Sequence, residues 1–390
     1  MKKKIIVLTA TRAEYGLLSP IIHKMKNISM FDVNVAVTGA HLSPEFGLTY
    51  NEIEADGIKI DKKIEILMSS DSDVGISKSM GMAMMGFAEY FADTKPDALM
   101  VLGDRYETLA VCCAAMNARI PIIHLYGGET TEGAIDEAIR HAITKMSYLH
   151  FTSTDDYRRR VIQLGEHPNR VFTVGSIGIE NALKMELLTK KELEESIQFE
   201  LEQSFAVVTF HPTTLEEGQT ETQFGEILAA LDKYPNIKYI FTKANADTNG
   251  RIINQMIDEY VLSRDNAVAF ASLGVKRYLS ALRYATLVIG NSSSGLVEVP
   301  SFKIPTINIG DRQKGRLQAE SVINCEPTCE EIVKAIEKAL SEEFRNVVLR
   351  ATNPYGDGET SQRIVETLKI VLNDKTINLK KKFYDVSFKE

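Results

Sequence analysis

The sequence predicts an α/β protein built from two doubly wound domains. Short apolar runs of strand length alternate with longer segments of helical period, the pattern of a parallel sheet covered on both faces. The alternation occurs twice, with a polar, charged stretch between the two sets. The length of 390 residues also favours two domains over one.

In chain order, the first expected strands are KIIVLTA (4–10), FDVNVAVTG (31–39), DALMVLG (97–103), IPIIHLY (120–126) and YLHFTS (148–153). Helical period fills the gaps, as in SKSMGMAMMGFAEYFADT and RYETLAVCCAAMNAR, and the Met-rich MGMAMMGF within the first reads as helix core. The polar segment at about 175–204 sets a domain boundary near its start, giving a first domain over 1–175. A second set of strands follows: FAVVTFHP (205–212), IKYIFTKA (237–244), AVAFASL (267–273), TLVIGNSS (286–293) and TINIGD (306–311). Two such domains imply a ligand cleft between them, where the carboxyl ends of the strands open.

Composition narrows the function classes. Apolar residues make up 44% and charged residues 25%, as in an ordinary globular protein, and the net charge of −8 argues against nucleic acid or a membrane surface as partner. Cys112, Cys113, Cys325 and Cys329 lack the spacing of a zinc tetrad and read as reduced thiols of a cytoplasmic protein. The apolar run near the start is too short for a signal peptide, and no stretch approaches a membrane span. No dinucleotide G-x-G-x-x-G follows a strand, and no Walker A sequence is present. Asp71-Ser72-Asp73 matches a metal-binding D-x-D only as a tripeptide common by chance.

The stretch IIHLYGGETTEGAIDEAIRHAITK carries the chemistry. A strand over 120–126 ends at Gly127-Gly128, and a helix is expected from near Thr131 through Met146. Ile135, Ala138, Ile139, Ala142, Ile143 and Met146 fall at i, i+3, i+4, i+7, i+8 and i+11, one apolar stripe. Glu132 and Glu137 suit a helix start and i,i+4 pairs, Glu137 with His141 and Asp136 with Arg140. Glu129 is different: it stands at a strand's carboxyl end, where open α/β sheets place their sites. Asp136 lies beside the stripe and is expected to face partly inward. Asp104 and Arg105 follow Gly103 at another strand end; Asp104 is either a helix N-cap or a second site acid. Paired carboxylates can divide acid and base roles.

The second half carries anion-binding signals. Ser292, Ser293 and Ser294 follow a strand at a helix start, a ready anion site. Glu298, one turn on, can accept from ribose hydroxyls. His211 ends another strand beside Pro212, Arg12 follows the first strand, and Arg312 follows the last.

These motifs, in this order, resemble the hydrolysing UDP-N-acetylglucosamine 2-epimerases of sialic-acid and related nonulosonic-acid synthesis. The resemblance runs over nearly the whole chain: TRAEYG, GAHLSPEFG, LGDRYE, GGE, AIDEAIRHAITK, VTFHP, NADTNG, GNSSSGLVEVPS and NIGDRQKGR. The non-hydrolysing relatives carry His-Val-Glu-Ala-Gly-Leu-Arg where this chain has its Gly-Gly-Glu turn, and Tyr126 departs from the family's usual His or Glu. The resemblance implies the GT-B fold, with two Rossmann-like domains, the second over 176–355, and a C-terminal helix and tail over 356–390 returning to the first. It implies Asp104, Glu129 and Asp136 as catalytic acids and bases, and Arg12, His211, Asn245, Asp247, Ser292, Ser293, Glu298 and Arg312 as nucleotide and diphosphate contacts. His41, Arg105 and Arg140 are implied as helpers at the sugar. No metal and no cofactor is implied, because Arg, His and helix-end amides can neutralise a leaving diphosphate. The implied reaction turns UDP-N-acetylglucosamine and water into N-acetylmannosamine and UDP, through a 2-acetamidoglucal. A UDP- or GDP-linked 2,4-diacetamido-6-deoxy sugar, as in legionaminic-acid synthesis, or GDP-N-acetylglucosamine, would use the same chemistry. A GT-B glycosyltransferase is the rival of another class. A homo-oligomer is the family expectation.

Overall fold

The structure is a computed structural model, and it describes residues 2–68, 72–130, 135–212, 219–244, 250–373 and 377–387. The chain divides into two compact units. The first comprises Met1–Glu129, Asp136–Glu180 and Tyr355–Glu390, and the second Thr130–Ile135 and Asn181–Pro354.

The first unit holds β1 (Lys3–Thr9), β2 (Phe31–Thr38), β3 (Ile60–Ile64), β4 (Ala98–Leu102), β5 (Ile122–Leu125), β6 (Leu149–Thr152) and β7 (Val171–Thr173). They form one sheet in the order β3-β2-β1-β4-β5-β6-β7, every pair parallel. Its helices are α1 (Arg12–Lys26), α2 (Tyr50–Ala55), α3 (Asp73–Thr94), α4 (Tyr106–Asn117), α5 (Asp136–Met146) and α6 (Asp155–Gln163); α7 (Ile177–Lys184) runs across the boundary between the units.

Strand alternation decides which face each residue covers. Ile5 and Val7 of β1 join one core with Leu18, Ile21 and Ile22 of α1, whereas Ile6 and Leu8 join another with Phe87 of α3 and Val111 of α4. Both faces are therefore buried, which is why the strands read as continuous apolar runs.

The second unit repeats the plan with β8 (Phe205–Thr209), β9 (Lys238–Thr242), β10 (Ala267–Phe270), β11 (Leu287–Gly290), β12 (Thr306–Ile309) and β13 (Val322–Cys325), in the order β10-β9-β8-β11-β12-β13, again all parallel. Helices α8 (Lys190–Ile197), α9 (Thr220–Leu231), α10 (Gly250–Leu262), α11 (Gly274–Tyr284), α12 (Ser294–Val297), α13 (Cys329–Leu340) and α14 (Glu342–Arg350) belong to it. Ala206 and Val208 face the core that holds α9 and α13; Phe205 and Val207 face the core that holds α8 and α11. The last helix, α15 (Thr360–Asn373), places Ile364, Val365, Leu368 and Leu372 in the same core as α1 of the first unit.

Two expectations need correction. Three strands, β3, β7 and β13, were not expected from the sequence; all are edge strands, and β3 spends its middle on Asp61, Lys62 and Lys63. Charge at an edge guards against stray pairing and also erases the apolar signature. Most methionines of α3 are not core: Met82, Met84 and Met85 are exposed and only Met80 packs against it, while Ser79, Ala83 and Phe87, spaced four apart, turn inward.

Past α15 the chain returns along the first unit. Lys381 Nζ donates to the carbonyls of Lys145 (2.9 Å) and Ser147 (2.6 Å) at the end of α5, and to Glu166 Oε2 (2.7 Å). Glu166 also takes bonds from Lys145 (2.7 Å) and the His150 ring (3.1 Å). Burial works against the charge on Glu166, but these donors outweigh it and hold its carboxyl down to about 2. A depressed folded-state value stabilises above the ordinary carboxylate range and is lost as pH falls toward 2, with a full contribution on the order of 3 kcal/mol. Glu166→Gln is therefore expected to lower the melting temperature at pH 7 and to flatten its fall between pH 5 and 2; an unchanged acid limb would show the network to be passive.

Among the described residues, no helix is long and apolar enough to cross a membrane.

Candidate active site

In the first sheet the strand order turns at β1 and β4, so the loops leaving those strands diverge and open a crevice at their carboxyl ends. After β1, Thr11 caps α1 in a reciprocal capping box with Glu14, whose Oε2 accepts from the amides of Ala10 (2.7 Å) and Thr11 (3.2 Å). This pins the turn that carries Arg12, the first residue of α1, whose Nε lies 2.7 Å from Glu52 Oε2. Burial, then the nearby Glu107 charge, raises Glu14 to about 7. Glu107 is itself buried and accepts from Arg105 Nε at 2.8 Å.

His41 is fully buried. Its Nε2 lies 2.9 Å from Thr9 Oγ1 and its Nδ1 2.8 Å from Thr49 Oγ1. Burial pushes it down to about 4, so it is neutral at working pH. Its place is beneath the strand ends, tying β1 to the turn after β2.

After β4 come Gly103, Asp104 and Arg105. The N-cap of α4 is Arg105 and not Asp104. Asp104 instead meets the guanidinium of Arg140, which is 1% exposed, so the capping expectation for Asp104 falls.

After β5 the chain turns sharply. Tyr126 adopts φ +67°, a conformation uncommon without a glycine, and its ring oxygen accepts from the amide of Ile177 at 2.8 Å. Gly128 follows at φ +80°, and a Cβ there would stand 2.3 Å from the carbonyl oxygen of Tyr157 on α6. Arg160 Nη1 donates to the Gly128 carbonyl at 2.6 Å. The turn so held delivers Glu129, 5% exposed, whose Oε1 accepts from Ser153 Oγ at 2.8 Å.

Helix α5 starts at Asp136, later than the expected Thr131; residues 131–134, with Glu132, lie outside the described residues. Its inward face also differs from the expected stripe. Of the stripe, Ile143 is buried and Ile139 and Met146 pack beside it, but Ile135, Ala138 and Ala142 are exposed, and Arg140 and Thr144 are buried instead. Arg140 turns inward on the same helix and meets the Asp104 carboxylate. Half-buried Asp136 lies on this face, one turn before Arg140, and Glu137 lies 3.0 Å from His141 Nε2.

The second sheet turns at β8 and β11. Gly290, at φ +136°, ends β11 so close to β8 that a Cβ would sit 1.9 Å from the Thr209 carbonyl oxygen. The next residue, Asn291, is fully buried and brackets the backbone of His211: its Oδ1 accepts from the amide at 2.7 Å and its Nδ2 donates to the carbonyl at 2.8 Å. The Asn291 carbonyl accepts from Arg312 Nη1 (3.1 Å) and Gln313 Nε2 (2.8 Å). His211, Asn291, Arg312 and the half-buried Ser292 and Ser293 thus form one cluster, with Ser293 the N-cap of α12 and Glu298 its C-cap. Asn245 and Asp247 lie outside the described residues.

Sequence reasoning passed over Asn291, Gln313 and Ser153. An asparagine directly after a strand-end glycine was a usable signal, since its amide can satisfy a neighbour's N–H and C=O together. Nothing local marked Ser153 or Gln313.

Asp104 and Glu129 leave the neighbouring strands β4 and β5 of the first doubly wound sheet, and serines, an arginine and a histidine cluster at the switch point of the second. The chain belongs to the UDP-N-acetylglucosamine 2-epimerase family, whose model matches residues 23–369, and within it to the hydrolysing nucleotide-sugar 2-epimerases. It is 44% identical to the GDP/UDP-N,N'-diacetylbacillosamine 2-epimerase (hydrolyzing) of Campylobacter jejuni, over 99% of this chain and 100% of that one. It is 41% identical to polysialic acid biosynthesis protein P7 of Escherichia coli, over 98% of each. The UDP-N,N'-diacetylbacillosamine 2-epimerase (hydrolyzing) of Legionella pneumophila is 33% identical, over 95% of this chain and 97% of its own length. A UDP-N-acetylglucosamine 2-epimerase structure from Listeria monocytogenes superposes with a TM-score of 0.80 at 19% identity, over 99% of this chain and 100% of that one, which establishes the GT-B-type fold of two Rossmann-like sheets.

Proposed function

We propose that the protein hydrolyses and epimerises a UDP- or GDP-linked 2,4-diacetamido-6-deoxy sugar, releasing the free 2-epimer and the nucleoside diphosphate. The observation that carries this reading is the 44% identity, end to end, to an enzyme named for GDP/UDP-N,N'-diacetylbacillosamine. A carboxylate removes the proton at carbon 2 while the bond from carbon 1 to the diphosphate oxygen breaks, giving a glycal. Water then adds hydroxyl at carbon 1, and a proton returns to carbon 2 on the opposite face. Two faces call for more than one proton-transfer group, and Asp104, Glu129 and Asp136 supply them in this proposal. Arg12, His211, Ser292, Ser293, Glu298 and Arg312 are proposed to hold the nucleotide and its diphosphate, with Asn291 and Gln313 fixing His211 and Arg312. Arg140 positions Asp104, and Arg105 and His41 support the loops.

A second reading is UDP-N-acetylglucosamine as substrate, giving N-acetylmannosamine; the 41% identity to a polysialic acid biosynthesis protein favours it. Both are tested together by incubating the protein in heavy water with UDP- and GDP-N,N'-diacetylbacillosamine and with UDP-N-acetylglucosamine. The expected result is free nucleotide and a 2-epimerised diacetamido sugar deuterated at carbon 2. Its kcat/KM should exceed that for UDP-N-acetylglucosamine by about tenfold or more, since sites built for a polar substituent discriminate against its replacement. Faster turnover of UDP-N-acetylglucosamine would select the second reading, and product without deuterium would remove the elimination mechanism.

A further inference from the structure

Among the described residues, one buried group touches every element that carries a proposed acid, and no role above uses it. His124 sits in β5, wholly buried, in register with Val101 of β4 and His150 of β6. Its Nε2 lies 2.9 Å from the carbonyl oxygen of Gly103, and its Nδ1 lies 3.3 Å from Thr144 Oγ1 on α5. A Cβ on Gly127 would lie 3.1 Å from both His124 Nδ1 and Thr144 Oγ1, so the glycine turn closes directly over this contact.

Each partner is a short covalent step from a proposed acid. The Gly103 carbonyl and the Asp104 amide share one rigid peptide plane. Gly103 is at φ +76°, and its own amide, in the preceding peptide plane, donates to the Leu125 carbonyl at 3.0 Å, so both polar backbone groups of Gly103 are held by β5. Gly127 lies two residues before Glu129. Thr144 lies one turn after Arg140, the partner of Asp104, and two turns after Asp136.

The ring's protonation follows from its partners. The Gly103 carbonyl can only accept, so Nε2 carries the hydrogen, and Nδ1 is left to accept from the Thr144 hydroxyl. Burial, the largest influence, with the neighbouring His150 and His141 adding to it, drives His124 down to about 3, so the ring stays neutral throughout the working range.

We propose that His124 is a positioning residue for the reaction. As a neutral, Nε2-protonated imidazole it locks the Asp104 peptide, the Glu129 turn and helix α5 into one geometry. The proposal rests on the acid roles proposed above. Misplacing a reacting group by about 1 Å costs roughly 100-fold in rate, which sets the scale of the effect.

The test compares His124→Phe, which keeps ring bulk without polar atoms, with His124→Gln, whose amide nitrogen can still donate to Gly103. Turnover is read on the UDP diacetamido sugar and on UDP-N-acetylglucosamine, and binding with UDP alone. His124→Phe is expected to lower kcat about 100-fold with KM and UDP affinity within about threefold of the parent, and His124→Gln to recover about tenfold. Thr144→Val, which removes only the hydroxyl, is expected to lower kcat about fivefold at unchanged KM, at the scale of one neutral hydrogen bond, and serves if His124→Phe does not fold. Unchanged kcat in His124→Phe, or in Thr144→Val where His124→Phe does not fold, overturns the proposal. Equal losses of UDP affinity and kcat without rescue by glutamine also overturn it, since that pattern belongs to a purely structural residue. Glu129→Gln is run alongside. If it and Asp104→Asn both stay active, the acid roles fail and this proposal with them; if they are inactive while His124→Phe is active, only the role of His124 fails.

Discussion

Glu129→Gln is expected to lower kcat by roughly 10²–10⁴-fold, the usual contribution of a general acid or base, while leaving the melting temperature close to that of the parent. The amide keeps the shape of the carboxylate, and its oxygen can still accept from Ser153 Oγ, which donates to Oε1 at 2.8 Å. The capacity to exchange a proton is lost together with the negative charge. Asp104→Asn is expected to lose as much turnover but also to melt lower. Its partner Arg140 is 1% exposed and would lose its closest counter-charge, keeping the longer 3.6 Å contact to Glu137 Oε2. Removing one member of a wholly buried pair costs about 3–5 kcal/mol; the Asp104 side chain is 21% exposed, so about half that is expected here. Turnover and thermal unfolding of the two variants check both statements. Near-parental kcat in Glu129→Gln would take that residue out of the mechanism, and equal melting temperatures would mean that the Asp104–Arg140 pair adds no stability.

Gly128→Ala is expected to damage stability and catalysis together. At φ +80° an L-residue costs about 1–2 kcal/mol on conformation alone. The added methyl would meet the Tyr157 carbonyl oxygen at 2.3 Å and the Val161 side chain at 2.9 Å. The first is backbone of α6 and cannot swing aside as a side-chain tip can. Relief must come from the turn, which moves the adjacent Glu129. A total loss of about 3–5 kcal/mol, at the severe end for single substitutions, and a kcat reduced at least about 100-fold are expected. Circular dichroism melts and turnover on folded protein measure the two separately. A variant that melts normally and turns over normally would mean that the turn has room this structure does not show.

The legible parts of the fold were those where one physical effect dominates. Buried central strands such as β1 and β4 are apolar along their length, because both faces meet helices, and they stood out as runs. The edge strands β3, β7 and β13 did not, because a strand with one neighbour and a wet edge does not need that pattern. The candidate acids were visible because Asp104 and Glu129 follow glycines at strand ends, where chain direction must change. Their supports were not: Ser153 lies 24 residues from Glu129, and Gln313 lies 22 from Asn291. His124 looked like any polar residue inside a strand.

Helix α5 shows where local pattern and tertiary structure part. Spacing alone put Ile135, Ala138 and Ala142 inward, yet these are exposed and Arg140 is buried. The sequence by itself determined two parallel sheets, their central strands and the strand-end placement of the acids, because those follow from periodicity and turn chemistry within a few residues. Which face of α5 turns inward, which partner meets Asp104 and what holds the Glu129 turn were decided only by the tertiary structure. A buried guanidinium and its carboxylate find each other by distance in space, and no local periodicity encodes that distance.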